Sequence, residues 1–443
     1  MNFKRLAAAF LTFSAPFVAA AQAPAAEAKP AQTAPAPAPA PAPEPAKAEP
    51  KKDEGFKITP YGFVHTAMLF SSETFAVKDF SAQVSKTNSG GSFNVSARQS
   101  RFGLRIGGKD TVLTQADLAG VIEADFYGSI PANTASSAYH AGPLRLRLAT
   151  VTASWKTSYG TWALLAGQDY GLVNPLVADS VAYAANQPFT QSGNFTRRSP
   201  QFRATYAGAF DIVGVTVIAA VLSPADFTRD DVTGPPAFAG PYDADFGAGN
   251  RSRQPDVEAR VALSVKPTKA VNATIGVAGH TNERRYVVDD PTAANAGAKE
   301  DLRVNALGAD LEVNVPYLTV KAEYTTLDGL DDTYAGLVQQ PIAGSVGNLA
   351  RVSTYGVWGQ AVVKPLPVLW LTAGYGVEKV KDKDEALIGA GVREENRSLQ
   401  LGVIANAGKN LRFGVEWAKT WSKYGDGVEK DAMQTIVATQ LKF

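Results

Sequence analysis

Eight arginines stand between residues 98 and 203: Arg98, Arg101, Arg105, Arg145, Arg147, Arg197, Arg198 and Arg203. A guanidinium presents a rigid fork of donors that fits carboxylate or phosphate, so a wall of them suits the holding or passing of anions. Glu123, Asp125 and Asp169 fall in the same stretch. With them the cluster reads equally well as a salt-bridged network that stiffens a wall. Hydrolytic chemistry is poorly provided for. His65, His140 and His280 are the only histidines, and none has metal-ligand spacing. There is no Gly-x-Ser-x-Gly elbow and no phosphate-cradling glycine motif. His140 or His280 could serve as a general base only from a loop beside a serine. The chain is therefore expected not to be an enzyme, with no catalytic residue, no metal and no cofactor.

The elements that would position these residues are strands. From Gly55 onward, segments of about ten residues with alternating polarity recur between turn-rich stretches. They fall near 57–70, 95–107, 119–127, 144–156, 161–168, 200–207, 212–222 and 256–266, then near 271–281, 303–314, 318–326, 351–364, 369–380, 396–406, 411–421 and 432–443. That makes sixteen, an even number, as bacterial membrane barrels have. Short links such as Pro267-Thr268-Lys269 and Gly408-Lys409-Asn410 alternate with long ones such as 71–94, 169–199 and 223–255. This segregation is expected of an outer-membrane β-barrel with tight periplasmic turns and long outer loops. The final segment shows the pattern well, with Met433, Thr435, Val437, Thr439, Leu441 and Phe443 on one face.

Face assignments follow from parity. Leu144, Leu146 and Leu148 oppose Arg145 and Arg147, Phe102 and Leu104 oppose Arg101 and Arg105, and Val415 and Trp417 oppose Glu416. A charge facing lipid at mid-depth costs about 2–4 kcal/mol. The charged face must then line a water-filled lumen, which makes the barrel a pore. Tyr61, Trp155, Trp162, Tyr206, Trp370, Tyr375, Trp417 and Trp421 lie toward strand ends, as interfacial girdles do. The stretch 169–199 is expected to fold into the channel, setting Asp169 or Asp179 against the arginines.

The N-terminus implies export. Lys4 and Arg5 precede an apolar run, and Ala19-Ala20-Ala21 offers a cleavage site, so residues 1–21 read as a signal peptide. Residues 22–54 are dominated by Ala, Pro, Lys and Glu and read as a polyproline-like periplasmic spacer, with peptidoglycan contact as an alternative role. Residues 55–443 would then form the barrel. An exported chain with no cysteine draws no stability from disulfides. A formal net charge of +1, near −1 once Lys4 and Arg5 are removed, gives no reason to expect nucleic acid as a partner.

Five stretches, in this order, resemble porins of the DcaP-like type: Ala97-Arg-Gln-Ser-Arg-Phe-Gly-Leu104, Ile122-Glu-Ala-Asp-Phe-Tyr-Gly128, Leu144-Arg-Leu-Arg-Leu148, Leu164-Leu-Ala-Gly-Gln-Asp169 and Arg198-Ser-Pro-Gln-Phe-Arg203. The resemblance implies a sixteen-stranded homotrimer embedded in outer-membrane lipid. It further implies an arginine-lined constriction passing small anions such as dicarboxylates. The matching positions are Arg101, Arg105, Arg145, Arg147 and Arg203, with Glu123 and Asp125 as acidic counterparts. The chain departs from the family in its Ala/Pro segment, where a helical coiled coil is expected, and in Asp169, where an uncharged polar residue is expected.

Overall fold

A computed structural model describes residues 55–76, 79–87, 90–109, 115–128, 142–224, 247–288, 294–338 and 341–443. The leader, the spacer and His140 lie outside the described residues. Nineteen strands are present among them. They are β1 (Lys57–Ser71), β2 (Ser92–Ser96), β3 (Arg101–Lys109), β4 (Asp117–Asp125), β5 (Arg145–Thr157), β6 (Gly160–Tyr170), β7 (Arg198–Phe210), β8 (Val213–Leu222), β9 (Asp256–Thr268) and β10 (Val271–Val287). The remainder are β11 (Lys299–Val315), β12 (Leu318–Asp328), β13 (Ile342–Ser345), β14 (Asn348–Arg351), β15 (Ser353–Leu366), β16 (Leu369–Val380), β17 (Arg393–Ala407), β18 (Leu411–Tyr424) and β19 (Glu429–Lys442).

Seventeen of them form one antiparallel sheet that closes where β19 pairs with β1. β2 and β3 both pair with β1, end to end, so together they make one stave and the barrel has sixteen. β13 and β14 form a separate hairpin in the connection before β15. Each of the sixteen segments expected from alternation is a stave. Closure pairs every strand on both sides and leaves no edge for lipid to meet. Phe443 completes it by exchanging backbone hydrogen bonds with Gly62.

Side-chain exposure follows the two-residue period. Val257, Val261 and Leu263 on β9 are exposed while Asp256 and Glu258 are buried; Val415 on β18 is exposed while Glu416 is buried. The exposed faces form an apolar outer belt, and the charged faces point inward. Two-residue turns such as Asp211-Ile212 and Lys269-Ala270 mark the periplasmic end, and the long connections lie at the other.

Three features depart from expectation. A β-bulge in β5 places Ala124 opposite Leu146 but Glu123 opposite Leu148, so Arg147 is the extra residue and the parity reverses beyond it. Leu148 consequently shares the inward face, against expectation, and Val151 turns outward with 65% exposure. Tyr61 and Trp370 also point inward. The Tyr61 hydroxyl donates to Glu123 at 3.0 Å, and Trp370 carries Lys364 and Arg412 over its ring. They do not belong to an interfacial girdle. Trp162, by contrast, is exposed and packs against the Tyr206 ring, tilted by 48° at 4.8 Å.

The reversal makes a direct test possible. Val151→Lys is expected to lower barrel stability by about 2–4 kcal/mol, as a lipid-facing charge does. Thr152→Lys, its inward neighbour, should cost under about 1 kcal/mol. Urea-unfolding midpoints in lipid vesicles would check this; equal losses would deny the bulge.

Candidate constriction and its charged walls

Residues 171–197, between β6 and β7, run along the inner wall and are largely buried. A loop placed inside a barrel takes its peptide groups out of bulk water, and each must find a partner. Here the carboxylates of one wall take amides, while Lys321, Gln360 and Asn396 of the same wall donate to the Val177, Asp179 and Gln191 carbonyls. On the β9–β18 side, acceptor side chains take the amides. Glu258 accepts from Leu172 N at 2.6 Å, Glu323 from Leu176 N at 2.7 Å and Gln360 from Asp179 N at 2.7 Å. Glu416 accepts from Val181 N, Ala182 N and the Ser180 hydroxyl at 2.6, 2.8 and 2.6 Å.

On the other side, donors take the carbonyls. Arg101 donates to Ala184 O at 2.6 Å, and Arg147 to Ala185 O at 3.1 Å. Gln99 serves both roles, accepting from Ala184 N and Ala185 N and donating to Ala182 O. Apolar contacts complete the seat. Val181, Ala182 and Tyr183 pack on Ala67, Leu69, Ile436 and Ala438, and Phe189 stacks on Trp358 at 5.7 Å. At Gly193, a Cβ would lie 2.5 Å from the Val357 carbonyl, so the loop approaches β15 as closely as only glycine allows.

Two further segments fold inward over this loop. Residues 79–85 cover Tyr183, whose hydroxyl shares a 2.6 Å hydrogen bond with Ser81 and whose pKa burial raises. Residues 329–338 bring Tyr334 onto Glu258 at 2.8 Å and His280 at 3.0 Å. His280 is thus a strand residue within a buried network, not a loop histidine beside a serine.

The eleven charged residues singled out above separate into two groups. Arg98, Arg147, Arg197, Glu123 and Asp125 are buried braces. Arg147 spans Glu123 at 2.8 Å, Asp125 at 2.9 Å and the Tyr170 hydroxyl at 2.7 Å. Arg98 meets Asp79 at 3.2 Å. Arg197 leaves the arginine wall altogether. Its side chain, 1% exposed, binds Asp256 and Glu258 of β9 and the His280 ring, so it pins the end of the loop.

Arg101, Arg145, Arg198, Arg203 and Asp169 are partly exposed, and Arg105 is exposed. Arg145 pairs with Asp125 at 2.7 Å and Arg203 with Asp169 at 3.3 Å, while Arg101 lies 3.6 Å from Glu123. Arg198 and Arg105 form no ion pair among the described residues; they lie over the rings of Tyr170 and Tyr61 at 5.6 and 3.9 Å. Asp179 does not oppose this wall, because it pairs with Lys321 at 2.9 Å. Without Arg197, seven guanidiniums meet Asp79, Glu123, Asp125 and Asp169, leaving a surplus of three positive charges.

Sequence reasoning placed Glu416 on an inward face but did not identify what it, Glu258 and Glu323 hold. Glu416→Ala would orphan two amides and a hydroxyl, at about 1–3 kcal/mol for each unsatisfied group. Single-channel recording should show a larger, noisier conductance as the 178–183 segment leaves the wall. Unchanged conductance would show that Glu416 does not hold the loop.

No protein-family description matches the chain, and no curated protein matches it. Among solved structures, it is similar to the outer membrane channel DcaP of Acinetobacter baumannii, with TM-score 0.66 and 18% identity, covering 88% of this chain and 98% of that one. It is similar also to the anion-selective porin from Comamonas acidovorans, with TM-score 0.50 and 12% identity, covering 88% and 100%. OmpF of Salmonella typhi in complex with daunomycin matches at TM-score 0.50 and 12% identity, covering 88% and 98%. The closed sixteen-stave barrel, its apolar belt and these likenesses agree: the chain is an integral outer-membrane β-barrel with the fold of the DcaP-like porins.

Proposed function

We propose that this barrel is a passive outer-membrane porin for small hydrophilic solutes, with a preference for anions such as dicarboxylates. The surplus of three positive charges along the arginine wall, two at the level of the inward loop and Arg105 below it, carries this reading. Most of the arginine charge is neutralised locally by carboxylates, so the preference is mild. Arg198 forms no ion pair among the described residues, so no carboxylate there offsets its charge. Conduction by diffusion needs no cofactor and no energy source. The anion-selective neighbour from Comamonas acidovorans shares the fold, which is compatible with the reading.

The working unit in this reading is a homotrimer. Phe70, Phe93, Phe102 and Phe126 lie exposed together on the outer face of β1–β4, with ring separations of 5.0 and 6.0 Å. That aromatic patch is suited to subunit contact. Residues 1–21 would direct export, and residues 22–54 would serve as a spacer. The competing role for the spacer is a tether to the cell wall.

Reversal potential in a planar bilayer under a KCl gradient tests the preference. The wild type should favour chloride, and Arg198→Ala should reduce the permeability ratio roughly two-fold. Cation preference in the wild type would refute the reading. Deleting residues 22–54 should leave conductance unchanged if the segment is a spacer to a porin. If the barrel's task is tethering, the deletion should instead impair the envelope.

A further inference from the structure

Below the constriction the balance of charge changes. Lys57 and Thr59 at the start of β1 lie beside Gly107 and Arg105 of β3 in register, on the inward face that Tyr61 shares. With Lys109 they line a cleft of about 440 Å³ at the periplasmic end of the lumen. A Cβ at Gly107 would meet nothing within 4 Å, so the floor of the cleft is open.

Arg105 is oriented rather than neutralised. Its guanidinium stacks 3.9 Å from the centre of the Tyr61 ring, and the Tyr61 hydroxyl is tied to Glu123 at 3.0 Å. The ring lies across Gly103, where a side chain would collide with it at 2.7 Å. Lys57, Arg105 and Lys109 form no ion pair among the described residues. Among the described residues of this end of the wall, Asp117, opposite Lys109 in register, is the carboxylate beside these three cations. The same sign continues across the closing seam. Arg412 and Lys364 lie 5.0 Å from the Trp370 ring, and Lys442 pairs in register with Phe63 beside them on the inner wall.

We propose that the periplasmic vestibule is itself an anion-binding site, formed by Lys57, Arg105 and Lys109, and that it contributes much of the ion preference of the pore. The proposal deepens the porin reading and rests on it. Chemically, the site offers one planar fork and two mobile ammonium groups. That set fits a small di- or tricarboxylate, with one carboxylate on Arg105 and the rest on the lysines. Since these cations stand in water, their field is screened over about 10 Å at 0.1 M salt and about 3 Å at 1 M. A vestibular contribution therefore fades with salt.

The test is reversal potential at both salt levels for the wild type, the Lys57→Gln/Lys109→Gln double variant and Asp117→Asn, with millimolar citrate as a blocking probe. Near 0.1 M the double variant should lose about half of the chloride preference and most of the citrate block, and the difference should vanish near 1 M. Asp117→Asn should raise both, a gain that misfolding cannot imitate. A chloride-preferring wild type whose preference and citrate block change in neither variant would overturn the vestibular site alone. Cation preference in the wild type would overturn the porin's anion reading together with it.

Discussion

The constraint on which this structure depends is the need to satisfy the peptide groups of a loop enclosed in a barrel. Residues 171–197 bring their amides and carbonyls to the inner wall, where each unpaired group would cost about 1–3 kcal/mol. The wall answers with matched partners. Glu258, Glu323 and Glu416 meet the amides, while Arg101 and Arg147 meet the carbonyls. Moving acids and bases between these positions would set like against like, so the charge distribution of the lumen is partly dictated by the loop it must hold.

This gives the buried charges a structural task and defines what remains for transport. Arg147, Glu123 and Asp125 form a closed brace, and breaking such a set by removing one member leaves its partners unpaired, which is costlier than the set itself is stabilising. In the proposed porin, solutes would meet the residues left over: the partly open Arg101, Arg145 and Arg203, and Arg198 and Arg105, which form no ion pair among the described residues. An abundance of arginine therefore overstates the field a solute meets. The local excess, and where along the pore it lies, decides the preference.

Much of the fold was legible in the alternation of residue types. The staves from β1 to β19 follow the two-residue period because one face meets lipid and the other water, and the long 171–197 connection was expected inside. The failures have physical causes. A period of two carries no mark of a bulge, so the reversal after Arg147 and the inward turn of Leu148 were hidden. Tyr61 and Trp370 suit an interface and a cation-lined wall equally well, and only partners decide between them. The site was less legible, because its pairings are long-range: Val181 and Glu416 are 235 residues apart. Arg197 and Arg198 are adjacent in sequence, yet one is buried and pins β9 while the other is partly exposed over the Tyr170 ring, a division set by the loop's path at its final turn.

The most direct measurement is amide hydrogen exchange of the folded barrel, resolved at Leu172, Leu176, Val181 and Ala182. Amides held by wall carboxylates should exchange slowly, at rates comparable to those of the flanking strands. Exchange as fast as in solvent-exposed loops would show that the inner loop is not clamped, and the inward placement of these carboxylates would lose its cause.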